Sequence, residues 1–295
     1  MENEKQLRRH KLLDIPVLGM VLAAAWAMFL SEVVFGLLGG LLSGIIAGFS
    51  VAANGGDLTE AAQSSPALYF TCAVGGIAVL LIHRQWFRPE FRGSFTTNHI
   101  QDRRQQWIIA AAMFLDLVTA LTCSMLMGFR APDAQVIGLS LMAGICEEAA
   151  FRGLALSVGM RHVRDGKGIV LAVAVSAVMF GLVHSANILS GADAAGTLMQ
   201  IVYCLCLGIF NAAVYLRTGS LGSVIVFHTL HDIFAQCAEA TAGGTVTGFS
   251  IEDLVVSVGL GLVLVAFAVV LLRGHTDDIL AVWRERWSRE EDPEK

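Results

Sequence analysis

Stretches of roughly 20 mostly apolar residues recur along the chain, and each is long enough as a helix to cross a ~30 Å hydrocarbon core. They fall at 16–38, 67–83, 107–128, 136–158, 169–186, 197–216, 220–238 and 254–272. The pattern predicts an all-α protein, a polytopic bundle of about eight transmembrane helices. The first stretch stays apolar from Val17 to Phe49, too long for a simple span and too short for two crossings and a turn. One long or tilted helix is the simpler reading, with Pro16 suited to its first turn. No short apolar run ends in a small-residue cleavage site, so this segment is not expected to be removed as a signal peptide.

Composition agrees with a lipid environment. Of 295 residues, 55% are hydrophobic and 15% charged, whereas charged residues make up about a quarter of a soluble domain. The bilayer is therefore the first expected partner, the cell membrane the expected location, and no nucleic-acid partner is indicated. Lys and Arg positions test the topology independently of hydropathy. With a cytoplasmic N-terminus, 18 of the 20 fall in segments facing the cytoplasm, among them Lys5 to Lys11, Arg84 to Arg104, Arg161 to Lys167 and Arg273 to Lys295. Only Arg130 lies outside, while Arg152 lies within a span. Both termini are thus expected in the cytoplasm. All six cysteines sit in or beside predicted spans, with no pattern of a secreted disulfide framework.

Three regions organise the chain: 1–134 with the first three spans, 135–240 with the next four, and 241–295 with the last span and an amphipathic tail. Residues 1–15 form a basic lead-in and 50–66 a polar external loop, with Asn54-Gly55-Gly56 as a turn signal. Gly36, Gly40, Gly44 and Gly48 recur every four residues, a ridge that would let another helix approach. In the tail, Ile279, Leu280, Trp283 and Trp287 share one helix face opposite Arg284, Glu285 and Arg289. That helix is expected to lie in the cytoplasmic membrane interface.

Ionisable residues inside spans cost roughly 2.5 to 3.5 kcal/mol each at the bilayer centre, so they mark sites by default. Here they cluster: Glu147, Glu148 and Arg152 in the fourth span, His184 at the end of the fifth, and His228, His231 and Asp232 in the seventh. Glu148 and Arg152 are four apart and can pair on one helix face. Glu147, rotated by about 100°, lacks a partner on its own helix and is the carboxylate available for chemistry. Phe180 and His184 repeat the four-residue spacing, as do His228 and Asp232, with His231 near the same face. Glu32 and Asp116 also sit inside spans and need partners, whether structural or in a substrate groove.

Taken in order, these residues resemble the three marks of the CPBP (CAAX protease and bacteriocin-processing, or Abi) family of glutamate intramembrane proteases. Glu147-Glu148-Ala149-Ala150-Phe151-Arg152 matches Glu-Glu-x-x-x-Arg, Phe180-Gly181-Leu182-Val183-His184 matches Phe-x-x-x-His, and His228-Thr229-Leu230-His231-Asp232 matches His-x-x-x-Asn or Asp. The resemblance covers roughly 135–240 and implies that this region is the catalytic core. It implies an intramembrane endopeptidase, CAAX-protease-like, that cleaves a membrane-anchored or lipidated peptide or protein. In that scheme Glu147 activates a water with help from His184, while His228 and Asp232 stabilise the oxyanion. Asp232 stands where the prenyl proteases carry asparagine. An ionised aspartate only accepts hydrogen bonds, so Asp232 would act either protonated or by orienting His228 or His231.

The signatures of zinc, serine and aspartyl intramembrane proteases are absent, and no cofactor is expected. Were a metal such as zinc present, Glu147, His184, His228 and His231 would be its ligands. The alternative from another class is a non-enzymatic scaffold or bacteriocin-immunity protein that keeps the fold. A proton-coupled transporter relaying through Glu32, Asp116 and Glu147 would need a repeat symmetry the chain lacks. Counted from the inner ends of their spans, His228 lies about 12 Å deep, Glu147 about 17 Å and His184 about 22 Å. On that count the three stand at different levels.

Overall fold

A computed structural model describes residues 15–83, 102–238 and 251–288. The lead-in with Lys5 to Lys11, the basic run from Arg84 to Arg92, and the tail from Arg289 onward lie outside the described residues. We label the helices in chain order: α1 Pro16–Asn54, α2 Leu58–Gln63, α3 Ala67–Ile82, α4 Arg103–Leu126, α5 Ala134–Met160, α6 Gly166–Val183, α7 Ala194–Thr218, α8 Leu221–Gln236, α9 Ile251–Leu272 and α10 Thr276–Ser288. Among the described residues, seven helices are long and apolar enough to cross a membrane. The eighth expected span, 220–238, is α8, of 16 residues and not one of these seven; it is as long as α3, which reaches crossing length only together with α2. α1 is indeed one helix, 39 residues long, nearly twice the length a perpendicular crossing requires.

Polar residues placed at the interruptions start the helices. Asp57, Asp102, Asp133, Asp165, Asp193 and Ser220 each accept a backbone N–H of the first turn that follows, satisfying donors that have no partner within the helix. Asp133, outside the spans, accepts from the Val136 and Gln135 N–H groups at 3.0 Å. These bonds, Val136 foremost, together with Arg130 hold its carboxyl below the usual carboxylate range. Gly219, left-handed at φ 67, ends α7 and turns the chain into α8. Asn54-Gly55-Gly56 makes the expected turn, with φ of 73 and 113 at the two glycines.

Two sequence expectations change. A side chain at Gly40, Gly44 or Gly48 would meet nothing within 4 Å among the described residues. The close approach to α3 runs instead through Gly39, buried with Ser43 and Ala47, where an added Cβ would lie 2.8 Å from the Leu68 Cα. The buried face is thus one residue, about 100°, away from the glycine ridge. The apolar face of α10 also does not lie in the interface. Ile279, Leu280 and Trp283 are buried in the bundle, and the Trp283 ring packs edge-on against Tyr215 at 5.4 Å; the Trp287 side chain lies outside the described residues. Polar contacts fix this docking: Gln105 Oε1 accepts from Arg217 Nη2 at 2.5 Å, and Gln105 Nε2 meets His275 Nε2 at 2.6 Å.

The bundle brings α5 and α8 together at Gly144. A Cβ there would stand 2.2 Å from Thr229 Oγ1, 3.0 Å from Thr229 N and 3.1 Å from Ile225 O. The hydroxyl could rotate away, but the backbone atoms could not. Gly144→Ala is therefore expected to cost about 1–3 kcal/mol, read as a lower melting temperature of the purified protein. Because α5 and α8 carry Glu147 and His228, any peptidase activity should fall with it.

Candidate active site

Glu147 and Glu148 close the regular part of α5, and a π-helical segment, Ala149–Leu156, begins at the next residue. Wide turns of this kind leave backbone groups off the regular ladder and recur at functional sites. Side chains help tie the segment down: Ser176 Oγ donates to the Phe151 carbonyl at 2.9 Å, and Ser157 Oγ to that of Arg152 at 3.3 Å. A second π segment, Phe29–Val34 in α1, carries Glu32. Glu32 lies within electrostatic reach of Glu147, and its backbone carbonyl faces Cys72 Sγ.

The two adjacent acids stand in different surroundings. Glu148 is fully buried, and its Oε1 accepts three hydrogen bonds, from Arg152 Nη1 at 3.1 Å, Asn211 Nδ2 at 2.9 Å and His228 Nδ1 at 3.0 Å. The expected pairing with Arg152 is present, and it is also the link to a third helix. Glu147, by contrast, keeps 14% of its side chain exposed, and its Oε2 lies 3.8 Å from His228 Nε2. No hydrogen bond engages that oxygen among the described residues.

His228 is thus held by one ring nitrogen and offered by the other. With Nδ1 donating to the Glu148 carboxylate, Nε2 faces Glu147 Oε2 at 3.8 Å and Asp232 Oδ2 at 3.6 Å. Both distances exceed a direct hydrogen bond and suit a bridging water or a substrate oxygen. His184 is oriented similarly. Its Nδ1 donates to the Phe180 carbonyl at 2.9 Å, so the neutral ring carries its lone pair on Nε2, 3.6 Å from Cys204 Sγ.

Phe180 sits between the rings. It makes edge contacts with His184 at 5.4 Å and with His228 at 5.5 Å, and the Arg152 guanidinium lies 4.3 Å over its face, a cation–π contact. Both imidazoles therefore pack against the one Phe180 ring. Helical side chains lean toward the N-terminus, so His184, at the end of α6, folds back over the preceding turn. Gly208 makes room for this packing, since a Cβ there would lie 3.0 Å from Phe180 and 3.1 Å from Arg152 Nη2.

Asp116 has the partner it required, and so does His231. His231 Nδ1 meets Asp116 Oδ2 at 2.7 Å, the Tyr203 hydroxyl donates to Asp116 Oδ1, and the His231 and Tyr203 rings stack at 5.3 Å. Asn211, Gly208 and Tyr203 were not singled out from the sequence. Asn211 could have been, as an amide inside an apolar span. Among the described residues, no three of the His, Cys, Asp and Glu side chains gather as a metal's ligands would. A cleft of about 660 Å³ runs between α4, α7 and α8, lined by Ile109, Met113, Leu117, Val214, Phe227 and Leu230, with Gln106 and Ser223 also on its wall.

The molecule so described is a multi-pass helical membrane protein with a buried acid–imidazole centre. Residues 130–234 match the model of the family described as type II CAAX prenyl endopeptidase Rce1-like, one of the CPBP families. No curated protein and no solved structure matches the chain.

Proposed function

We propose that the protein is an intramembrane endopeptidase that hydrolyses a peptide bond in a lipidated or otherwise membrane-anchored peptide. The observation that carries the reading is the pairing of two unlike acids on one imidazole. Glu148 binds the Nδ1 side of His228, while the partly exposed Glu147 faces its Nε2 at 3.8 Å. The match of residues 130–234 to CAAX prenyl endopeptidases supports it.

In this reading Glu147 is the base. A water held between its carboxylate and the lone pair of His184 Nε2 loses a proton to Glu147 and attacks the peptide carbonyl carbon. His228, carrying a proton on Nε2, donates to the oxyanion as it forms, and the Glu148 carboxylate keeps its ring in that orientation. Asp232, 3.6 Å from the same nitrogen, stabilises the protonated imidazole rather than bonding the oxyanion, since an ionised carboxylate has no proton to give. In this reading these side chains act without a metal or cofactor. The apolar cleft of about 660 Å³ is within the size range of small-molecule sites and would take the lipid chain. We place the protein in the cell membrane, and with α8 counted as the eighth crossing its Lys and Arg distribution puts both termini in the cytoplasm.

The test is to reconstitute the purified protein in vesicles with a farnesylated CAAX-type peptide and its unlipidated counterpart, reading products by mass spectrometry. Cleavage of the lipidated peptide, with little of the other, is expected. Equal cleavage of both would remove the lipid from the proposal, and cleavage of neither would count against the peptidase reading.

A further inference from the structure

α8 carries two imidazoles, and both are held in the same way. His228 has its Nδ1 on a buried carboxylate from α5, Glu148, at 3.0 Å. His231 has its Nδ1 on a buried carboxylate from α4, Asp116, at 2.7 Å. The two histidines are three residues apart, so their side chains are neighbours on one helix face. Asp116 is fully buried and its other oxygen is occupied by the Tyr203 hydroxyl. The Tyr203 ring lies nearly flat on His231, 19° from parallel. One edge and one face of His231 are therefore fixed, while its Nε2 edge points away from Asp116. Among the described residues no hydrogen bond occupies that nitrogen, and 12% of the side chain remains exposed. The ionisable groups within electrostatic reach of the ring are Asp116 from α4 and, on its own helix, Asp232 and His228; the Tyr203 hydroxyl adds a fourth. Packing alone does not require a buried acid, a phenol and an oriented imidazole within a bilayer, where each such group is costly.

Resting on the peptidase reading, we propose that His231 is the proton donor to the departing amine, with Asp116 and Tyr203 as its positioning residues. Glu147 removes one proton from water, and the resulting hydroxide oxygen bonds to the carbonyl carbon. When the C–N bond breaks, its electron pair stays on nitrogen, which takes the proton from His231 Nε2. The proton held by Glu147 then returns through water to His231. Oxygen and both hydrogens of one water are accounted for. Asp116 offsets the charge of the imidazolium form, as the acid of an acid–histidine pair does. Asp116 lies outside the matched segment 130–234, whereas Tyr203 and His231 lie within it.

The experiment compares a farnesylated CAAX-type peptide with the same peptide carrying a thioester at the bond that the wild-type protein cleaves. A thiolate, with an ordinary thiol pKa of about 8.5, leaves without a proton; an amine does not. His231→Gln and Asp116→Asn are expected to slow amide cleavage by about 10²-fold in kcat, with KM little changed, while thioester cleavage stays near wild type. Glu147→Gln should lose both. Equal losses on amide and thioester in the His231 and Asp116 variants, at wild-type melting temperature, would overturn the proton-donor role and leave the peptidase reading intact. Near-normal amide cleavage by both variants would overturn it as well. If the wild-type protein cleaves neither peptide, or Glu147→Gln cleaves both, the peptidase reading fails and this inference with it.

Discussion

Glu147→Gln should abolish peptide cleavage to within the limits of detection, a loss of about 10²–10⁴-fold, while the protein is inserted, folded and as abundant as wild type. The two halves of that expectation have separate causes. The carboxylate is partly exposed and, unlike Glu148, has no strong partner. Its nearest charged neighbour is His228 Nε2 at 3.8 Å, and its Oε2 makes no hydrogen bond among the described residues. Removing its charge therefore breaks little that holds the bundle together. The amide keeps the shape but cannot take a proton from water. Activity measured in reconstituted vesicles, with a melting curve of the same sample, separates the two effects. Near-wild-type turnover by Glu147→Gln would remove the base from the mechanism.

The neighbouring residue should behave in the opposite way. Glu148→Ala is expected to lose both activity and structure, because Oε1 of Glu148 is where Arg152, Asn211 and His228 converge at 2.9–3.1 Å. Taking away one partner of a buried ion pair leaves the other charge uncompensated and costs about 3–5 kcal/mol. Arg152→Ala should be at least as damaging, since it also removes the cation over Phe180 at 4.3 Å, worth about 0.5–2 kcal/mol. Both variants should melt well below wild type, with reduced amounts in the membrane. The contrast matters more than either value. Adjacent acids on one helix should separate into a variant that is stable and inactive and one that is unstable. Wild-type melting of Glu148→Ala would mean that the three-way junction is not what holds α5, α7 and α8 in register.

Most of the helical architecture was legible in the sequence because the solvent imposes it: a span must be apolar over about 20 residues whatever it packs against. The Glu148–Arg152 pair was legible for a related reason, since both residues lie on one helix and the i,i+4 spacing alone brings them together. What the sequence pattern could not supply was which residues meet across helices. Glu148 also binds His228 because α5 and α8 approach closely at Gly144, and no spacing rule connects positions 80 residues apart. For the same reason Asp116 was recognisable as needing a partner, but not as the partner of His231 and Tyr203.

Where expectations moved, the physical cause is specific. The glycine ridge of α1 is misaligned by one residue because the buried face is chosen by α3, not by the glycines. α10 satisfies the amphipathic pattern of an interfacial helix, yet Tyr215 and the Gln105–Arg217 pair give its apolar face and its polar end partners inside the bundle. An amphipathic helix reads the same in sequence whether its apolar side meets lipid or protein. The depth count followed Cα positions, whereas the His184 ring reaches back to the Phe180 carbonyl.

The central claim is that one water, polarised by the α5 acid and the α6 and α8 imidazoles, ends up in the product. Cleaving a membrane-anchored peptide in ¹⁸O-enriched water and weighing the N-terminal fragment, whose new C-terminal carboxylate takes the water oxygen, reads this directly. The account predicts one ¹⁸O atom in the freshly made carboxylate for the wild-type protein and no product from Glu147→Gln; unlabelled product, or labelled product at an undiminished rate from the variant, would contradict it.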